Sequence, residues 1–216
     1  IVTPNWIHGS LADLVQERRK VAPPRASNRL FYSGNFGVKQ GLPAFLDQFH
    51  SVLGNWEIDL HGGGAEATTL RDKVSNWGNW LRLGGLLDEP DYVDRLLTTT
   101  VCVVTQMPGV GANFLPSKLL PALAAGTPVL AVCDAASPLG REVTLGQFGK
   151  IVEPGNTEQL GVTLRRWAEN PALLAQAGDN ALKWSARYSR GKICGDYAAT
   201  LQRLVECRRQ GTPLKI

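Results

Sequence analysis

Apolar residues along the 216-residue chain fall into two alternating rhythms. Short continuous apolar runs, Val101–Val104 and Val129–Val132 among them, suit strands buried on both faces of a parallel sheet. Between such runs the apolar positions recur every three or four residues, as on one face of a helix. Leu42, Phe45, Leu46, Phe49 and Leu53 share a face in this way. Leu119, Leu120, Leu123 and Ala124 do the same over a shorter stretch, which Gly126 ends. Pro116 suits a first helical turn, where its missing N–H costs nothing, so this second helix is read as starting there.

The same reading extends along the chain. A helix over 10–20 with Ser10 as N-cap is followed by a linker over 21–27. Strands are expected at 30–33, 57–61, 80–84, 101–104, 129–132 and 149–152. Helices are expected at 42–53, 65–74, 91–97 and 116–125, partly within 134–145, and at 156–170, 171–188 and 192–209. Strand–helix repetition of this kind predicts an α/β fold: a Rossmann-like, mostly parallel sheet with helices on both faces. One such domain is read over residues 29–190, with an extension over 1–28 before it and a C-terminal helix and tail over 191–216.

Composition narrows the class. Hydrophobic residues make up 44% and charged residues 19%, the balance of a folded globular chain. Net charge is +4, and the basic runs Arg18-Arg19-Lys20 and Arg208-Arg209 read as solvated surface, with an anionic membrane face as the alternative. No nucleic-acid motif accompanies them, so no nucleic-acid partner is expected. Cys102, Cys133, Cys194 and Cys207 have neither redox nor metal spacing, which predicts a reducing compartment and no metal. No apolar run reaches the roughly 18 residues of a membrane span and no signal peptide is visible, so the expected location is cytoplasmic, at most against the inner membrane face. The opening Ile1-Val-Thr-Pro reads as the interior of a longer protein.

Glycine-rich turns follow three of the strands, at Gly34–Gly41, Gly62–Gly64 and Gly109–Gly111. In a parallel sheet these share one edge with the helix start at Pro116-Ser117-Lys118. Backbone N–H groups there, with Lys39 and Lys118, suit a diphosphate. Other phosphate loops do not fit, because neither G-x-G-x-x-G nor G-x-x-x-x-G-K-[ST] occurs. His61-Gly-Gly-Gly64 is not accompanied by a G-x-S-x-G elbow, so a hydrolase is not expected. His8, His50 and His61 have no metal or triad spacing.

The segments FYSGNFGVKQGL (31–42), IDLHGGG (58–64), LRLGG (81–85), LPSKLLPALAAGTPV (115–129) and GKIVEPG (149–155) together resemble the donor domain of group 1, family 4-like glycosyltransferases of the GT-B fold. Bacterial exopolysaccharide transferases that carry Pro-Ser-Lys before the helix are the nearest look. TPNW (3–6) resembles the linker leaving the family's N-terminal domain.

The resemblance implies one half of a GT-B architecture. It implies retaining transfer of a sugar from a UDP or GDP sugar to a glycan or lipid-linked acceptor, without metal or other cofactor. It also implies a partner domain, the N-terminal acceptor-binding half. By position, Lys39 falls near the family's diphosphate lysine, and Asn35 stands nearest its arginine. Gly34, Gly37 and Gly63 bring backbone to the phosphates, and Leu86 and Leu87 lie in the base-cradling loop. Ser117 and Lys118 grip phosphate or ribose, with Leu115 and Pro116 beside them among the substrate-binding residues. The two family carboxylates fall at Asn113 and Pro121, so both are lost; Asn113 keeps a hydrogen bond for the donor sugar. In such retaining enzymes the leaving phosphate takes the acceptor proton, so no catalytic base is named. The alternatives are a non-catalytic nucleotide-sugar binding module and an epimerase of the same fold, for which His61 and Glu142 are the ready acid–base candidates.

Overall fold

A computed structural model describes residues 5–210, without the side chains of Ala112 and Asn113. Six strands form one sheet: β1 (Arg29–Asn35), β2 (Glu57–Gly63), β3 (Leu81–Gly84), β4 (Val101–Thr105), β5 (Val129–Val132) and β6 (Gly149–Val152). Their order is β3-β2-β1-β4-β5-β6, and every pairing is parallel. The order reverses between β1 and β4, which opens a crevice at the carboxyl ends of those two strands.

The helices are α1 (Gly9–Arg19), α2 (Leu42–Val52), α3 (Ala67–Trp77), α4 (Glu89–Thr98), α5 (Leu119–Ala124), α6 (Pro138–Gly146), α7 (Thr157–Glu169), α8 (Pro171–Ser185) and α9 (Arg190–Gln210). Period-2 alternation in the buried strands sends successive side chains to opposite cores. Val101 and Val103 join Leu30, Tyr32, Ile58 and Leu60 under α2, α3 and α7. Cys102 and Val104 join Phe31, Val129 and Ala131 under α1, α4, α5, α6 and α8.

Three expectations shift. Ser10 lies inside α1 rather than capping it; the N-cap is His8, which makes no side-chain cap bond. The helix expected from Pro116 begins at Leu119 and has six residues, because residues 116–118 form a turn ahead of it. In that turn the Leu119 and Leu120 N–H groups donate to the carbonyls of Pro116 and Ser117, both at 3.1 Å. The segment expected to be a linker is fastened down by Arg25. Its guanidinium donates to the carbonyls of Leu96 (2.7 Å), Thr99 (2.9 Å), Ala125 (2.9 Å) and Gly126 (3.1 Å), the open C-terminal ends of α4 and α5.

The leading segment is likewise held. Ile7 is buried, and its N–H donates to the Tyr188 carbonyl at 2.9 Å. Tyr188 and Trp184 both donate to Glu142 Oε2 at 2.6 Å, which ties α6 to the end of α8. No helix among the described residues is long and apolar enough to cross a membrane.

Candidate functional site

A cleft of about 790 Å³ opens over the crevice between β1 and β4. Four stretches wall it: the end of β1 with Ser33, Gly34 and Asn35; the loop Phe114–Lys118; the start of α4 with Leu87, Asp88, Glu89 and Tyr92; and the leading segment Asn5–His8.

Lys118 is the cleft's main charged feature. Its Nζ is buried and has no hydrogen-bond partner among the described residues. It sits 3.7 Å from the centroid of the Tyr32 ring. Tyr32 is fully buried, and its hydroxyl donates to the Asn35 carbonyl at 2.8 Å. Burial draws the Lys118 pKa down to about 8, against a smaller opposing effect of Cys102. Cys102 beneath it is itself pushed up to about 12 by burial, so its thiol stays neutral.

Two glycines make the room. Gly34 has φ +134°, and a Cβ there would lie 3.4 Å from Lys118 Nζ. Gly62, its neighbour on β2, has φ +150°, and a Cβ there would lie 1.9 Å from the Gly34 carbonyl oxygen. The positive φ would strain any other residue at either position, and at Gly62 its Cβ would also collide with the Gly34 backbone.

The expected site residues divide. Gly34, Asn35, Leu87, Leu115, Pro116, Ser117 and Lys118 all line the cleft, as does Pro121. Gly37, Lys39, Gly63 and Leu86 do not. Lys39 is exposed, in a 3₁₀ turn over Val38–Gln40 pinned by the Met107 N–H donating to its carbonyl at 2.9 Å. Three residues per turn send neighbouring side chains in different directions, so Gln40, not Lys39, faces the cleft. Gln40 Oε1 is buried without a partner, and a Cβ on Gly37 would meet it at 2.7 Å. Gly63 instead accepts the Phe36 N–H at 2.8 Å, and Leu86 is 82% exposed.

The third glycine turn also stays off the cleft. Gly109 N–H donates to Asp134 Oδ2 at 2.9 Å, and Gly111 packs over Gln106. Asn113 closes the 3₁₀ turn Val110–Asn113, but its side chain lies outside the described residues. His61 and Glu142, the residues named for the epimerase alternative, do not line the cleft.

Several lining residues carry no sequence signal as site residues: Trp6, Tyr92, Gln40 and the 43%-exposed Phe114. Only the fold brings them together. The lining contains one lysine and two carboxylates at the rim, Asp88 and Glu89. Asp88 Oδ1 is already engaged, accepting the Asp91 N–H at 2.9 Å as the N-cap of α4. No group of three or more metal-ligating side chains is found among the described residues. What the arrangement offers a ligand is a desolvated cation beside bare backbone, the requirements of a phosphate seat.

Comparison with known proteins fits this geometry. Residues 15–184 match the family described as glycosyl transferases group 1. An exopolysaccharide phosphotransferase of Streptomyces coelicolor is 24% identical over 153 residues, covering 71% of this chain and 16% of that protein. Sucrose-phosphate synthase from Thermosynechococcus elongatus superposes with a TM-score of 0.73 at 19% identity, covering 96% of this chain and 53% of its own. Anabaena HepE, solved in complex with UDP-glucose, gives 0.69 at 16% identity, covering 91% and 54%. The chain thus spans about half the length of these two solved proteins.

Proposed function

The chain belongs to the group 1 glycosyl transferases, and we propose that it is the donor-binding half of such an enzyme. It holds a nucleoside-diphosphate sugar whose sugar passes, with retention, to a glycan or lipid-linked acceptor carried by an N-terminal partner domain. The observation that carries this reading is the buried Lys118 ammonium, without a hydrogen-bond partner among the described residues, against Gly34 at the switch point of the sheet. HepE, similar in fold, was solved with UDP-glucose, which supports a uridine or related diphosphate as the ligand class.

In this reading the diphosphate lies between Gly34 and the Ser117–Lys118 turn. The Lys118 ammonium neutralises charge that grows on the departing phosphate. A fixed cation in a water-poor cleft does this without reorganising, so it favours the transition state over the ground state. Gln40 supplies an amide where the family resemblance led us to expect a cation at Lys39. Pro121 lines the cleft without a carboxylate, so the ribose must be held by other groups, and the Asp88–Glu89 rim offers carboxylate acceptors in the same cleft.

A thermal-shift panel of UDP, GDP, ADP and CMP tests the proposal. A ligand at 100 times its Kd stabilises the folded state by about 2.7 kcal/mol. The expected result is a shift with one diphosphate and a smaller one with CMP. No shift from any of the four at millimolar concentration would overturn the reading.

A further inference from the structure

A buried ammonium with no anionic partner should either leave the interior or lose its proton. Lys118 Nζ nevertheless lies under the surface, 3.7 Å over the Tyr32 ring. The groups around it are poor counter-ions. Cys102 of β4 is neutral, and burial pushes the hydroxyls of Tyr32 on β1 and Tyr92 on α4 well above their ordinary range. Asp88, Glu89 and His8 line the same cleft and make no ion pair with Lys118.

The face of an aromatic ring carries partial negative charge and attracts a cation most strongly where water is excluded. We propose that the Tyr32 ring is the resting cation–π partner of Lys118: a positioning residue that keeps the ammonium charged and directed at Gly34 until an anion arrives. The inference rests on the reading of the cleft as a phosphate seat. Tyr32 suits the role because it is held in place on all sides. It is fully buried in the core under α2, with its ring 6.1 Å from Phe36, and its hydroxyl is tied to the Asn35 carbonyl. A carboxylate in the same place would hold Lys118 more firmly but would compete with the incoming phosphate. A ring holds it weakly enough to release it to a diphosphate.

The test follows the Lys118 amine directly, by NMR titration of its Cε resonance in the wild type, Tyr32→Phe and Tyr32→Leu. Tyr32→Phe keeps the ring and should leave the titration midpoint in place. Tyr32→Leu removes the ring and should lower the midpoint by about one pH unit, the size expected of a desolvated cation–π contact. A midpoint that is the same in the leucine and phenylalanine variants would overturn the proposal. A merely structural role for Tyr32 would change the melting temperature without moving the midpoint.

Inorganic pyrophosphate titrated by calorimetry at pH 6.5 and pH 8.5 completes the test. Tyr32→Leu should bind as the wild type does at the lower pH and several-fold more weakly at the higher. Equal weakening at both would count against the proposal. Failure of the wild type to bind pyrophosphate or any nucleoside diphosphate would sink the phosphate-seat reading instead, while the NMR midpoint would still decide the Tyr32–Lys118 pairing.

Discussion

Replacing Lys118 by methionine should make this protein more stable while removing its anion affinity. The side chains are close in length, so packing changes little, and the charge is what disappears. Burial draws the Lys118 pKa from 10.5 to about 8. That difference corresponds to about 3 kcal/mol by which the folded state disfavours the charged form. The contact with Tyr32 returns as much as about 2 kcal/mol of this. Lys118→Met should therefore gain about 1–3 kcal/mol at pH 7, and a chain of this size gains about 2–4 °C in Tm for each kcal/mol.

The pH dependence gives the sharper test. Between about pH 8 and 10.5 the unfolded chain holds the lysine proton that the folded chain has released. Wild-type stability attributable to this group must rise with pH across that window. The variant lacks the group, so its advantage is full below pH 8 and fades towards pH 10.5. Urea denaturation of both proteins at pH 7 and pH 10 measures this. An advantage that is absent at pH 7, or unchanged at pH 10, would refute the argument. Residues that cost stability are a common trade in functional sites.

Other substitutions test the rest of the site and its support. Gly34→Ala forces an L-residue into φ +134° and puts a methyl in contact with Lys118 Nζ, so it should cost about 1–3 kcal/mol in denaturation and weaken pyrophosphate binding in calorimetry. Gln40→Ala should weaken nucleotide binding by calorimetry, while Lys39→Ala should leave it within about twofold at physiological salt, because Lys39 is exposed and off the cleft. Arg25→Ala uncaps two helix ends at once and should lower stability by about 2–4 kcal/mol in urea denaturation, with nucleotide affinity unchanged at a temperature where the variant is folded.

The fold was largely legible because its signals are local and repeated. Continuous apolar runs at 101–104 and 129–132 are hard to place except inside a parallel sheet, and the alternating helices leave little choice of topology. Gly34, Ser117 and Lys118 were legible as cleft residues for the same reason, since Gly34 lies at the carboxyl end of β1 and Ser117 and Lys118 form the turn ahead of α5. Lys39 lies off the cleft while Gln40 lines it, because charge is visible in sequence and the rotation of a 3₁₀ turn is not. Trp6, Tyr92 and Tyr32 reach the site from the leading segment, from α4 and from inside β1. Their proximity depends on long-range packing that no local pattern encodes. Arg25 looks like part of a proline-rich linker, and its function as a double helix cap appears only once the ends of α4 and α5 are seen together.

The central claim is that Lys118 seats the diphosphate of a nucleotide-sugar donor. Calorimetric titration of UDP and GDP into the wild type and Lys118→Met at pH 7 tests it most directly. Charge-assisted hydrogen bonds are worth about 1.5–3 kcal/mol, so the account predicts binding of at least one diphosphate by the wild type and a loss of about 10- to 150-fold in the variant. Equal affinity in the two proteins, or no binding of either nucleotide by the wild type, would contradict it.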